Sequence, residues 1–319
     1  MLRLGVLGVG HLGKIHLKCI QALRDRVELT AFFDPQMNRA KEAMELTGIM
    51  PSHSVDHVLD QVDAVIIAAP TANHFELAIK AARAFKHIFI EKPVCLNINE
   101  ARALIKMCRE ADVIAQVGHI ERFNPAFIAA APLIHQPRII ECFRHAPYQE
   151  RGLDISVIMD LMIHDIDLVM KMSKAGVRKI GAAGYNMKSL NTDVALLRME
   201  LDNGCMAHLS ANRVSPEPMR LTRVFEKDYY IEMDFLSHQV RKVTPRLNQE
   251  ALVEFIDVPK SNAIVDELTA FLNTIENGGR VEVSLDEAAR ALEIATAAEE
   301  KCSGSAVIQR DDNFISVMQ

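Results

Sequence analysis

The chain opens on Leu2-Arg3-Leu4-Gly5-Val6-Leu7-Gly8-Val9-Gly10-His11-Leu12-Gly13, and the reading of this stretch decides the fold. Leu2 to Leu7 is a short apolar run of strand character, and residues 14–23 have the periodicity of a helix. Strand, glycine turn and helix follow in that order. Gly8 permits the tight turn, Gly10 lets the backbone approach a pyrophosphate, and Gly13 allows helix and strand to pack closely. The helix start adds unsatisfied N–H groups and a positive dipole end, to which His11 and Leu12 belong. A lone GxGxxG is a weak signal, but here a second strand, Val27 to Phe33, follows and closes on Asp34, about 20 residues past the last glycine. A carboxylate at that place accepts from both adenosine ribose hydroxyls and repels a 2′-phosphate. NAD is therefore expected over NADP, with nearby Arg39 as the feature that would suit NADP. The competing reading of Asp34 is a turn residue before Pro35.

The alternation continues through helices at 40–46 and 55–59, a strand at 63–69 ending in Pro70-Thr71, and a helix at 75–84. A strand at 87–90 closes on Glu91-Lys92-Pro93, a helix follows at 99–110, and a last strand at 113–117 ends at Gly118-His119. Such alternation implies a parallel sheet covered on both faces, with ligands bound beyond the carboxyl ends of its strands. Those ends carry Gly8, Asp34, Pro70, Thr71, Glu91, Lys92 and His119, and His74 stands on the same rim. They are the expected cofactor residues. For Lys92 the competing reading is a solvated lysine, and for Asn73-His74 a helix cap followed by an exposed histidine.

From residue 119 the pattern changes. Strand-like runs at 138–144, 179–186, 193–201, 206–213, 219–226, 229–233, 239–243 and 253–258 succeed one another, many with period-two alternation, and Asp202-Asn203-Gly204 reads as a hairpin turn. Amphipathic helices are expected at 264–276 and 285–300, the second begun by a capping box of Ser284 and Glu287. The expected fold class is α/β: an N-terminal Rossmann doubly wound parallel sheet over residues 1–118, and over 119–319 a C-terminal α+β domain with a mostly antiparallel open sheet. The two helices are expected as cover on one side of that sheet. Its other face, rich in Met, Leu and Val, is expected to pair with further copies as a homodimer or homotetramer.

Asp160-Leu161-Met162-Ile163-His164-Asp165-Ile166-Asp167 lies in a helical run at 157–174. Regular helical spacing puts Asp160, His164 and Asp167 on one face of a helix that is apolar nearly all round. Carboxylates and an imidazole in such surroundings require partners or a ligand. The plainer reading is a satisfied core histidine with structural carboxylates.

Composition narrows the class. Hydrophobic content is 49%, charge 24% and net charge −6, with no basic block, so nucleic acid and membrane are poor partners. The N-terminus shows no signal-peptide pattern, and a cytoplasmic location is expected. Six scattered cysteines, without Cys-x-x-Cys or a neighbouring histidine cluster, read as reduced thiols; no metal site is expected.

With Gly8, Gly10 and Gly13, then Glu91-Lys92-Pro93, then Asp160-x-x-x-His164-x-x-Asp167, the chain resembles over its whole length the Gfo/Idh/MocA family of sugar and inositol oxidoreductases. The resemblance implies Lys92 as the active-site lysine, with Asp160 and His164 beside it at the substrate. A narrower likeness lies in Gly118-His119-x-Glu121-Arg122-Phe123-Asn124-Pro125 taken with residues 160–167, which is similar to bacterial UDP-N-acetylglucosamine 3-dehydrogenases. It implies NAD-dependent hydride transfer from the C3 hydroxyl of a UDP-N-acetylhexosamine, a step that precedes amination in amino-sugar biosynthesis. Arg122, Asn124, Tyr148, Arg151 and Asp167 are the expected substrate contacts, with a salt bridge or turn as the alternative for each of the first four. A glycine run common in the family before the catalytic helix is reduced here to Gly152. Other sugar or inositol dehydrogenases, an NAD-retaining glycosidase and a silent ligand sensor are the rival readings.

Overall fold

The computed structural model describes residues 1–149, 153 and 155–304. The opening strand β1 (Leu2–Leu7) runs through the glycine turn into α1 (His11–Gln21), and β2 (Val27–Phe33), α2 (Met37–Thr47) and α3 (Val55–Leu59) follow. Next come β3 (Ala64–Ile67), α4 (His74–Arg83), β4 (His87–Glu91), α5 (Ile98–Glu110) and β5 (Ala115–Gly118). All pairings are parallel and the strand order is β2-β1-β3-β4-β5. The order reverses between β1 and β3, so the crevice that receives a ligand opens beside Gly8 and the end of β3.

Both faces of this sheet are buried, and the side chains alternate between them. Leu4, Val6, Ile66 and Phe89 enter one core; Leu7, Val65, Ile67, Ile88 and Ile90 enter the other. Parallel strands covered by helices on both sides read as continuous apolar runs for this reason.

Beyond β5, a short turn of 3-10 helix at Ile120–Phe123 leads into α6 (Pro125–Ala130) and β6 (Ile139–His145). A π-helical turn at Ile158–Met162 runs directly into α7 (Ile163–Ser173). The remaining strands are β7 (Val177–Tyr185), β8 (Val194–Leu201), β9 (Met206–Asn212), β10 (Met219–Phe225), β11 (Tyr230–Asp234), β12 (Gln239–Thr244) and β13 (Leu252–Ile256). With β6 they form one sheet in the order β13-β12-β11-β10-β6-β9-β8-β7, antiparallel except for β6 with β9. In β8 the alternation is plain: Ala195, Leu197, Met199 and Leu201 are buried, whereas Leu196 is exposed.

The last two helices, α8 (Ala263–Asn277) and α9 (Leu285–Gly304), correct one expectation. Leu268, Phe271 and Leu272 of α8 sit in the Rossmann core with Phe32 and Ile66, and the Phe271 ring meets Phe89 edge-on at 5.9 Å. This helix covers the first sheet, where Phe271 packs on Phe89 of β4. α9 serves both units: Leu285, Ala288 and Leu292 pack in the Rossmann core, and Ala291, Ala295 and Ala298 in the core of the second sheet. Its start carries the expected capping box, with the Ser284 hydroxyl donating to Glu287 and accepting from the Glu287 amide. Among the described residues no helix is long and apolar enough to cross a membrane.

Candidate active site

The glycine turn is built as the spacing requires. Gly8 has φ +89°, and a Cβ there would stand 2.7 Å from the backbone of Ala69; a Cβ on Gly13 would collide with the carbonyl oxygen of Gly8. Gly10, by contrast, faces open space on which only the Arg39 guanidinium borders, at 3.7 Å from where a Cβ would be. Helix α1 begins at this residue with no side-chain cap and no acid in its first turn. Its leading N–H groups are thus free of competing carboxylates, which fits a pyrophosphate. The buried Asp34 carboxylate accepts from the amide of Val9 at 2.9 Å and that of Gln36 at 2.8 Å, tying the end of β2 to the turn. His11, Leu12 and Pro70 are exposed and Thr71 half-buried along the same crevice.

Across the strand ends stands Lys92, at a cis peptide bond to Pro93 and only 13% exposed along its side chain. Its ammonium donates to the Asp160 carbonyl oxygen at 2.6 Å and to the Asp160 carboxylate at 3.0 Å. Both acceptors come from the π-helical turn. An α-helical backbone commits each carbonyl to its own ladder, whereas a π-turn loosens that commitment, a geometry found often at functional sites. The regular helix expected over this segment is therefore interrupted, and Asp160 takes Lys92 as its partner. The same cavity, of about 120 Å³, is lined by Leu12 of the glycine turn, Lys92, Gly118, Ile120 and His164.

His164 is partly buried, and its Nδ1 is enclosed with no hydrogen-bond partner among the described residues. Burial pushes its pKa well below the usual imidazole value, and the positive charges of Lys92, Arg144 and Arg220 push the same way. The ring is consequently neutral at working pH. His119 lies edge-on to it at 6.1 Å. His119 is buried, with burial lowering its pKa too, and neither ring nitrogen has a partner among the described residues.

The helix bearing His164 is clamped by charges that are themselves buried. Arg144, on the inward phase of β6, donates to both oxygens of Asp165 and, at 2.7 Å, to Glu121. Arg220 of β10, opposite Arg144 in register, donates to the same Glu121 oxygen at 3.3 Å and keeps 45% of its side chain exposed. Sequence reading missed Arg144, Asp165 and Arg220. The available signal was a charged residue at 144 in phase with the buried Ile140 and Cys142.

Other expected contacts are placed differently. Arg122 and Asp167 pair with each other at 2.6–2.7 Å, each side chain 2% exposed, and Arg122 also donates to the Glu282 carbonyl. Asn124 caps α6 through the amide of Ala126 and donates to Glu121 and to the Phe235 carbonyl. These three side chains are spent on joining elements, which displaces them from the substrate role. His74 is buried, its two ring nitrogens 2.8 and 2.9 Å from the carbonyl oxygens of Ala69 and Pro93, so it braces two strand-end loops where an exposed rim residue was one alternative. Glu91 is buried against His16 at 2.7 Å, with its carboxyl held below the usual range by that histidine despite the opposing effect of burial. Tyr148 is 43% exposed, and Arg151 lies outside the described residues, as does Gly152.

Known proteins share this fold. Residues 2–119 match the model of the Gfo/Idh/MocA oxidoreductase family, described as having an NAD-binding Rossmann fold. The UDP-N-acetylglucosamine 3-dehydrogenase of Acidithiobacillus ferrooxidans is 39% identical over 288 residues, 86% of this chain and 88% of that protein. Its solved structure superposes with a TM-score of 0.90 at 36% identity, covering 95% of this chain and 98% of the other. A scyllo-inositol 2-dehydrogenase (NAD(+)) of Bacillus subtilis is 28% identical over 97% of this chain and 96% of its own length. Glycine turn, lysine-bearing strand end and whole-length likeness together identify the chain as an NAD-dependent oxidoreductase of the Gfo/Idh/MocA family.

Proposed function

We propose that the chain oxidises the C3 hydroxyl of a UDP-N-acetylhexosamine. The observation that carries the reading is that Lys92, held by Asp160, and His164 line one cavity together with Leu12 of the glycine turn. The likeness to the Acidithiobacillus enzyme supplies the sugar class. A bound NAD+ would supply the hydride acceptor that oxidation of an alcohol to a ketone requires. The protein's part is to remove the proton and to steady the oxygen. The neutral imidazole of His164 accepts the hydroxyl proton, and the surrounding cations favour its remaining unprotonated until the substrate arrives. The Lys92 ammonium, aimed by Asp160, donates a hydrogen bond to the oxygen as negative charge develops there. Asp34 would hold the adenosine ribose, and the N–H groups from Gly10 to Gly13 the pyrophosphate.

The nucleotide end of the sugar needs a cation. Arg220 supports that role because it is half-exposed, shares its carboxylate partner Glu121 with Arg144, and acts electrostatically on His164. Tyr148 and Arg151 remain candidate contacts on the adjoining segment. The open sheet face offers Ile139, Phe143 and Leu196 around a broad groove, and a second copy of the chain is its proposed cover.

The test is incubation with NAD+ and a panel of UDP-sugars and free polyols, following absorbance of NADH and the product by NMR. NADH together with a 3-keto sugar from UDP-N-acetylglucosamine is expected. NADH formed only with free polyols, or sugar released without NADH, would overturn the reading.

A further inference from the structure

Beside Lys92 and His164, the same cavity reaches a group of ionisable side chains that hydride transfer does not use: His16, Glu91 and Glu267. One potential ligand atom from each of the three lies within 4.8 Å of the others. Glu91 and His16 already satisfy each other. Glu267 does not share in that pairing. It projects from α8, between residues that fill the Rossmann core, is 1% exposed, and its Oε2 has no hydrogen-bond partner among the described residues. The charge beside it, on Glu91, has its own sign. Burial and that charge drive the Glu267 carboxyl well above its ordinary range, which favours its neutral acid form.

A neutral carboxyl offers one O–H donor and one carbonyl acceptor side by side. Left unpaired in an apolar cavity, such a group is unfavourable. Its complement is a primary amide, which offers one carbonyl acceptor beside N–H donors. The nicotinamide ring carries that group, and the wall around Glu267 is the apolar surface a flat ring would lie on. His16 Nδ1, also buried and without a partner among the described residues, is a second polar atom in the same corner. We propose that Glu267, with His16 beside it, seats the carboxamide of the nicotinamide and so fixes which face of the ring is turned to Lys92 and His164. This rests on the dinucleotide running from the glycine turn toward Lys92.

The test uses binding by calorimetry, with no turnover. Three ligands are compared on the intact chain: NAD+, its 3-acetylpyridine analogue, in which a methyl replaces the amide nitrogen, and ADP-ribose, which lacks the ring. The wild-type chain is expected to bind NAD+ about tenfold more tightly than the acetylpyridine analogue, the size of one ordinary hydrogen bond. Glu267→Leu should abolish that difference and leave ADP-ribose binding within about twofold, while Glu267→Gln should keep part of it. Discrimination that survives in Glu267→Leu, or equal loss of all three ligands in that variant, would overturn the proposal. Failure of ADP-ribose to bind the wild-type chain would instead overturn the underlying dinucleotide site.

Discussion

At His164 the chemistry comes down to one proton. Its neutral ring is kept so by burial and by the neighbouring cations Lys92, Arg144 and Arg220. Replacing it by Asn should lower kcat about 10²- to 10⁴-fold while the dissociation constant for NAD+, measured by calorimetry, stays within about twofold. Because its pKa lies below the usual imidazole value, kcat/KM should hold level as pH falls through about 6.5 and decline only in more acidic solution. A pH–rate profile with its acid limb above 7 would contradict this. Asp34→Ala should weaken NAD+ binding about tenfold and narrow the preference over NADP+, because Arg39 remains beside the turn to accept a 2′-phosphate. Much at this scale is legible in the sequence: the glycines, Asp34 and Lys92 all stand where apolar strands stop. Arg122, Asn124 and Asp167 are harder to read, since sequence shows a polar side chain but not whether a buried partner has already taken it. Glu267 is hidden for the opposite reason, as one acid within an amphipathic helix.

Single elements depend on how their polar groups are secured. The π-helical turn brings Asp160 to Lys92, and the helix that follows is held to β6 by Arg144 between Asp165 and Glu121. Arg144→Met should destabilise the chain by roughly 3–5 kcal/mol, since it leaves the buried Asp165 carboxyl without its cation and Glu121 with only Arg220 and Asn124. The fall should appear in urea midpoints and be smaller for Asp165→Asn, which leaves Arg144 its bond to Glu121. Periodicity cannot announce a π-turn: one extra residue per turn leaves the apolar count of 157–174 unchanged but alters which polar residues share a face. The strands of the second sheet are read more easily, because one face is buried and the other is not, and their limits fall within a few residues of those expected.

For the molecule as a whole, acid is the natural stress. His74, His119 and His164 are all lowered by burial, so the unfolded chain binds more protons than the folded one once pH drops below about 6.5. Each then costs about 1.4 kcal/mol per pH unit until its own folded pKa is reached. Glu267 acts in the other direction: its raised pKa gives stability that is complete below the ordinary glutamate value and disappears as pH rises through the folded one. Urea midpoints should therefore fall from pH 7 to pH 5, and a flat profile would contradict the histidine burial. A fragment of residues 1–118 should fail to give a dispersed NMR spectrum, because Phe89 and Phe32 lose the cover of Leu268, Phe271 and Leu272.

Helix α9 has 20 residues, about 30 Å of rod, and its two ends are embedded in different cores. Its Glu299 also accepts from Ser156, just ahead of the π-turn. A spar rooted in this way resists jaw-like closing of one half on the other, so the gap between the amino group of Lys92 and the ring of His164 is set when the polypeptide folds. Small-angle scattering should accordingly give the same radius of gyration with and without NAD+, and the enzyme would meet its sugar as a mould already cast.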